Sequence, residues 1–222
     1  MTAEEWLSAR NPSQMLEYVG GKVSQRKLRL FALECCRQNI DVIDYPHFHK
    51  AILLAEKLID GTLSESDRAA SESEINLAAD VSEEDFGDCG RFQFVSSDIL
   101  RSRFDHETAA SCAYELRAQW WRGEHSFVGL EEELTVEQSD FIKDIFGNPF
   151  RPVAFNPAWR DSNSVPIAQA MYASRDFTAA PVLADAIEDA GCTEAAILDH
   201  LRDPAAVHVR GCWAVDLVLG KS

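Results

Sequence analysis

At 222 residues, with 46% hydrophobic residues and a formal net charge of −16, the chain can bury its own core and is too acidic for nucleic acid, where cations must meet phosphates. No window approaches the roughly 20 apolar residues that cross a bilayer, and the opening MTAEEWLSAR has neither a basic leader nor an apolar run, which predicts a cytoplasmic protein without a membrane segment. Six cysteines, two of them the adjacent Cys35 and Cys36, are too sparse for a disulfide scaffold and read as reduced thiols, mostly small core residues.

Helical punctuation recurs along the chain. Thr2 and Glu5 form a capping box, Asn11-Pro12 a cap with proline at the first helical position, and Gly20-Gly21 a stop, so two short helices open the sequence. Ser24 starts a third, QRKLRLFALECCRQNIDVID, apolar on most sides and therefore placed in the middle of a bundle. Tyr45-Pro46 starts a fourth, ended by Gly61, and Ser64 with Asp67 caps a fifth whose pattern fades near EEDFGDCGRF, a stretch predicted to be a surface loop. Ser97 and Asp98 lead a long helix closed by Gly123, and Thr135 starts VEQSDFIKDIFG. The three prolines of NPFRPVAFNPAW exclude a regular helix, predicting an extended connector that buries Phe150, Phe155 and Trp159 and lets Arg151 satisfy carbonyls or a carboxylate. Four further helices close the chain, the third capped by Thr193. The whole predicts an all-α, compact multi-helix bundle of nine or ten helices in one domain, residues 1–222, with an N-terminal bundle over about 1–146, a Phe/Pro-rich connector over 147–161 and C-terminal helices over 162–222.

Charge is uneven: residues 64–89 hold nine carboxylates against Arg68, while 22–37 carry Lys22, Arg26, Lys27, Arg29 and Arg37 against Glu34. Such a run either keeps a protein soluble or docks a basic partner, in which case Glu83, Glu84 and Asp85 are its centre. Trp120 and Trp121 are neighbours on one helix and cannot both enter one core, which makes them candidate anchors for a partner.

The final Gly220-Lys221-Ser222 resembles the end of a phosphate loop, but Val215 stands where the first glycine is required and no helix follows. Cys192, His200, His208 and Cys212 suit tetrahedral zinc, although no Cys-x-x-Cys knuckle is present and Gly211 interrupts any helix joining His208 to Cys212. Cys212 as a nucleophile activated by His208 lacks an orienting third group and an oxyanion donor. His47, His49, His106 and His125 are scattered, and Glu83, Glu84 and Asp85 lack the alternating oxygen ligands of a calcium loop.

The stretches EEWLSARNPSQMLEYVGGKVSQRKLRLFALECCR, DIFGNPFRPVAFNPAW and LADAIEDAGCTEAAILDHLRDPAAVHVRGCWAVDLVLGKS together resemble a family of uncharacterised bacterial proteins abundant in planctomycetes. The resemblance implies a cytosolic helical protein and carries over no catalytic residues. Its signature falls on Asn148 to Pro152, Trp159, Asp189, Gly191, Cys192, His208, and Arg210 to Trp213 with Asp216. Many members have a cysteine where this chain has Leu201, so one position of a larger metal cluster is missing here.

With no nucleophile, base and orienting group converging in the sequence, the expectation is a non-catalytic interaction or regulatory module with an acidic docking face, no catalytic residues and no bound cofactor. Two alternatives stand beside it: a zinc protein or enzyme built on the C-terminal Cys/His group, and an immunity-type inhibitor of a basic toxin.

Overall fold

The structure is a computed structural model that describes residues 1–40, 43, 45–81, 89–118 and 128–221, with only the backbone described for 78–81, 89–93, 117–118 and 128–133. Among the described residues there are twelve α-helices, where nine or ten were expected, and no strand; the all-α class holds, and no helix is long and apolar enough to cross a membrane. The chain separates into two compact units, Ala9–Ser139 and Met1–Ser8 with Asp140–Ser222. The sequence pattern groups 1–146 together; the structure instead assigns the first helix and the end of the eighth to the C-terminal unit.

In the unit Ala9–Ser139, helix α2 (Pro12–Val19) is capped by Asn11, whose side chain accepts from the Gln14 N–H, and α3 (Gln25–Arg37) by Ser24, which accepts from Lys27 N–H. Helix α3 buries Leu28 through Leu33 together with Cys35 and Cys36, so both adjacent thiols are core residues. It packs on α4 (Pro46–Ile59) and α7 (His106–Ala118). α7 also contacts α2, where Gly20 is required, because a Cβ there would lie 2.8 Å from the His106 ring.

Helix α5 (Glu65–Val81) packs on α6 (Cys89–Asp98), and α6 corrects the sequence reading at two points. Residues 89–92 of the expected loop are helical, and Ser97 and Asp98 end a helix where they were expected to begin one. The cause is long-range. Arg29 Nε–H donates to the Ile99 carbonyl at 3.0 Å, Arg29 Nη2 to the Arg101 carbonyl at 2.6 Å, and Arg68 Nη1 to the Leu100 carbonyl at 2.7 Å. These two buried guanidiniums satisfy carbonyls that a continuing helix would have bonded internally, and the chain turns with Ile99, Leu100 and Phe104 fully buried. Asp105 then starts α7 by accepting from the Thr108 N–H at 3.0 Å. Helix α8 (Val128–Phe146) begins before the expected Thr135 and runs to the second unit's Asp140–Phe146.

In the unit Met1–Ser8 with Asp140–Ser222, α1 (Ala3–Ser8) carries the Thr2–Glu5 capping box and buries Trp6. Its core is Met171 from α9 (Ser164–Ser174), Leu183 and Ile187 from α10 (Ala180–Asp189), Ile197 and Leu201 from α11 (Ala195–Arg202) and Val215 from α12 (Trp213–Leu219). The connector is extended apart from a 3₁₀ turn, Pro157–Trp159, but Phe150, Phe155 and Trp159 are half-buried where full burial was expected. Arg151 is exposed, and Arg160 takes the part expected of it, donating from Nη2 to the Leu217 carbonyl at 2.8 Å. Glu194, not Thr193, precedes α11, and α12 begins only at Trp213.

Candidate metal centre

Four side chains of the Asp140–Ser222 unit converge: Asp144 near the end of α8, His200 on α11, and His208 and Cys212 in the turn before α12. One donor atom from each lies within 4.8 Å of every other, and no second such group of three or more His, Cys, Asp or Glu residues occurs among the described residues.

Local geometry explains how each is presented. Asp144 shares a helical stripe with Phe141, Ile142 and Ile145, all buried, so its carboxylate is carried inward by an apolar face and is itself only 2% exposed. Gly147 ends α8 at φ +67°, and a Cβ there would meet Trp213 Cγ at 3.1 Å, so this glycine serves both the left-handed turn and the close approach of the indole. The Trp213 ring lies 5.2 Å from that of His200, centroid to centroid. His208 and Cys212 come together through a turn, with Cys212 N–H donating to the Val209 carbonyl at 2.9 Å, and not by sharing a helical face. The turn and the residue after α12 are held to one ring, since Arg210 and Lys221 each pack on Tyr172, at 4.5 and 4.8 Å from its centroid.

The distances have a pattern. His200 Nε2 is 3.1 Å from Asp144 Oδ1 and 3.3 Å from Cys212 Sγ. His208 Nδ1 is 3.3 Å from the same Asp144 Oδ1 and 3.7 Å from the same sulfur. Each imidazole therefore turns one nitrogen toward both the carboxylate and the thiol. A nucleophile–base–orienter relay requires the opposite, with thiol and carboxylate on different ring nitrogens. The other nitrogen of His208, Nε2, is buried without a hydrogen-bond partner, which also leaves it outside any relay. Tetrahedral coordination with bonds of about 2.0–2.3 Å separates neighbouring donors by about 3.3–3.7 Å, close to these four imidazole-to-carboxylate and imidazole-to-thiol distances, while the remaining two pairs lie within 4.8 Å.

Electrostatics agree with this division of labour. Burial is the largest influence on Asp144 and pushes its carboxyl up, but hydrogen bonds from His200 and His208, the His200 charge and the Val209 N–H at 2.9 Å together hold it below the usual carboxylate range. Burial, reinforced by the Asp144 charge, pushes the Cys212 thiol well above its ordinary value, so it is protonated and a poor nucleophile unless a cation replaces its proton.

Of the residues singled out from sequence, His200, His208 and Cys212 come together, and Cys192 does not join them. Cys192 belongs to the hydrophobic core beside the end of α10, and Leu201 is likewise a core residue. The fourth donor is Asp144, which sequence reasoning missed. His47, His49 and His106 belong to the other unit, with His49 Nε2 against the Ile43 carbonyl at 2.7 Å. Burial pushes the Cys36 and Cys112 thiols up. Trp120, Trp121, Glu83, Glu84, Asp85 and His125 lie outside the described residues or side chains. Part of the acidic run is paired within its own unit, Glu65 and Glu72 with Arg68 and Glu74 with Lys50.

Comparison with known proteins gives no match to a family model, to a curated protein or to a solved structure.

Proposed function

We propose that this chain is a zinc-binding protein whose ion is held by Asp144 Oδ1, His200 Nε2, His208 Nδ1 and Cys212 Sγ. One observation carries the reading: both imidazoles direct a single nitrogen at the same carboxylate oxygen and the same sulfur. That convergence suits a shared cation and does not suit a proton relay. The mixed oxygen, nitrogen and sulfur donors favour a borderline ion, and a set of four with a thiol and two imidazoles favours zinc over magnesium or calcium, which take oxygen ligands in larger numbers. Charge supports it as well, because zinc with one carboxylate, one thiolate and two neutral imidazoles is neutral overall, which a buried site requires. The ion would tie the end of α8 to α11 and to the turn before α12, a stabilising and organising role, with four protein donors occupying its coordination sphere. The acidic docking reading rests on Glu83, Glu84 and Asp85, which lie outside the described residues, and has no geometric observation of its own.

Elemental analysis of protein stripped by a chelator and reloaded with zinc tests the reading. The expected result is one zinc per chain, lost in Cys212→Ser and His200→Ala and retained in Cys192→Ser. Cobalt(II) titration of the unaltered protein gives an independent check, with the intense visible bands and thiolate charge-transfer band of a four-coordinate S-ligated site. Absence of both stoichiometric zinc and those bands, or loss of metal in Cys192→Ser with retention in Cys212→Ser, sinks it.

A further inference from the structure

A cleft of about 390 Å³ opens beside the centre, with Asp144 and His200 in its wall, built entirely from residues of the Met1–Ser8 and Asp140–Ser222 unit. Its apolar sides come from Trp6, Leu7, Val207 and Trp213, and Asp140 and Lys143 stand at the same cleft. Leu7 is 60% exposed and Val207 38%, so two of the large apolar side chains that this unit leaves in water face one concavity. Exposed apolar surface gathered in a cleft marks a ligand site more often than single exposed residues do.

The polar groups narrow the ligand. Lys143 Nζ pairs with Asp140 Oδ1 at 3.2 Å across one helical turn, which puts a cation and an anion side by side on the cleft. A free α-amino acid carries the complementary pair, an ammonium and a carboxylate on one carbon, and binding it exchanges one contact ion pair for two. Asn148 adds a donor, because its Oδ1 accepts from the Phe150 N–H at 2.9 Å and this turns the amide NH₂ the other way. A zwitterion also has no net charge to be repelled by a chain of net charge −16, whereas a simple anion does.

We infer that this cleft binds a free α-amino acid with a large apolar side chain, its carboxylate on Lys143 and Asn148, its ammonium on Asp140, and its side chain between Trp6, Leu7, Val207 and Trp213. Binding there uses the cleft walls and does not require the zinc. Side-chain burial supplies most of the affinity, and the two charges supply selection against simple acids and amines.

The test is titration of L-leucine, glycine, 4-methylpentanoate and 3-methylbutylamine into ¹⁵N-labelled protein, in the zinc-loaded and the chelator-stripped form, followed by amide shifts. The expected result is saturable binding of L-leucine in the millimolar range or tighter, with shifts around 143–148 and 205–207. The other three compounds should bind at least about tenfold more weakly. Lys143→Gln, at a partly buried position, and Leu7→Ser, at an exposed one, should each weaken L-leucine about tenfold or more while leaving the helical circular dichroism and zinc stoichiometry unchanged. No saturable shift with L-leucine, equal binding of glycine, or equal binding of 4-methylpentanoate overturns the inference. Failure of the zinc reading shows separately, as missing metal in a protein that still binds L-leucine.

Discussion

Asp144 has two jobs that its two oxygens divide: Oδ2 is fixed by the Val209 N–H while Oδ1 meets both imidazoles. Replacing it with asparagine keeps the shape and removes the anion, leaving the two imidazoles and the Val209 N–H without their charged acceptor. The expected result for Asp144→Asn is loss of zinc and, in the stripped protein, destabilisation of about 1–3 kcal/mol by urea unfolding. Gly147 offers a second test at this scale. Its φ of +67°, with the Trp213 indole 3.1 Å from where a Cβ would stand, makes Gly147→Ala costly, by about 1–2 kcal/mol for the left-handed backbone alone, read as a lowered Tm. His208 and Cys212 were legible in the sequence because they are four residues apart beside a cluster of other Cys and His. Asp144 was not, because a lone aspartate between Lys143 and Ile145 has no ligand spacing around it. Its signal was subtler: an acidic residue on the apolar stripe of Phe141, Ile142 and Ile145, where a charge needs a partner. Cys192 misled for the converse reason, since a buried thiol in a core looks in sequence like a ligand.

Helix starts closed by a side-chain cap in the first third of the chain were legible, because a cap is a local exchange between a side chain and an N–H three residues on, whereas the starts expected at Ser97, Thr135 and Thr193 lie elsewhere. Asn11, Ser24 and Ser64 all behave as the sequence suggested. The break at 99–104 was illegible, because the carbonyls there are met by Arg29 and Arg68, residues about 32 to 72 positions away that no local pattern relates to them. Arg29 is lowered to about 10 by burial first and by the Arg68 charge second, and the two cations are held near one another by the carbonyls they serve and by Glu65 and Glu72, which pair with Arg68. Arg29→Met strips hydrogen bonds from two carbonyls, and an expected loss of about 1–3 kcal/mol in denaturant unfolding measures what the turn depends on. Asp105 gives a pH-dependent test. Thr108 N–H and hydroxyl hydrogen bonds hold its carboxyl below the usual range, so its contribution is complete above the unfolded value near pH 3.9 and disappears as pH falls through the lower folded value. Asp105→Ala should therefore cost about 1 kcal/mol at about pH 7 and progressively less towards about pH 3.

At the scale of the whole molecule, the all-α class followed from helical periodicity and frequent caps, while the grouping of α1 with the C-terminal helices did not, because Trp6 reads in sequence as one apolar residue in a short helix. A net charge of −16 described solubility better than it described a face, since acids such as Glu65 and Glu72 turn out to serve one buried arginine. The two compact units give zinc binding a regional signature. Hydrogen exchange on zinc addition should slow in 140–146, 195–202 and 209–219, with a gain of about 2.7 kcal/mol for globally exchanging amides of that unit at 100 times the Kd, while the buried amides of α3 keep their rates. No slowing in any of these three segments contradicts a centre there. The donors are unequally spread along the chain: His208 lies 4 residues from Cys212 and His200 lies 12 from it, whereas Asp144 is 56 residues from His200. Closing a short loop costs less entropy than closing a long one, so an ion meeting the unfolded chain finds three donors within a 200–212 segment before it finds the fourth. On the zinc reading proposed above, the metal would act as a bookmark kept by the 200–212 segment, to which the end of α8 must return, and the carboxylate with no ligand spacing around it in sequence would be the latch that closes last.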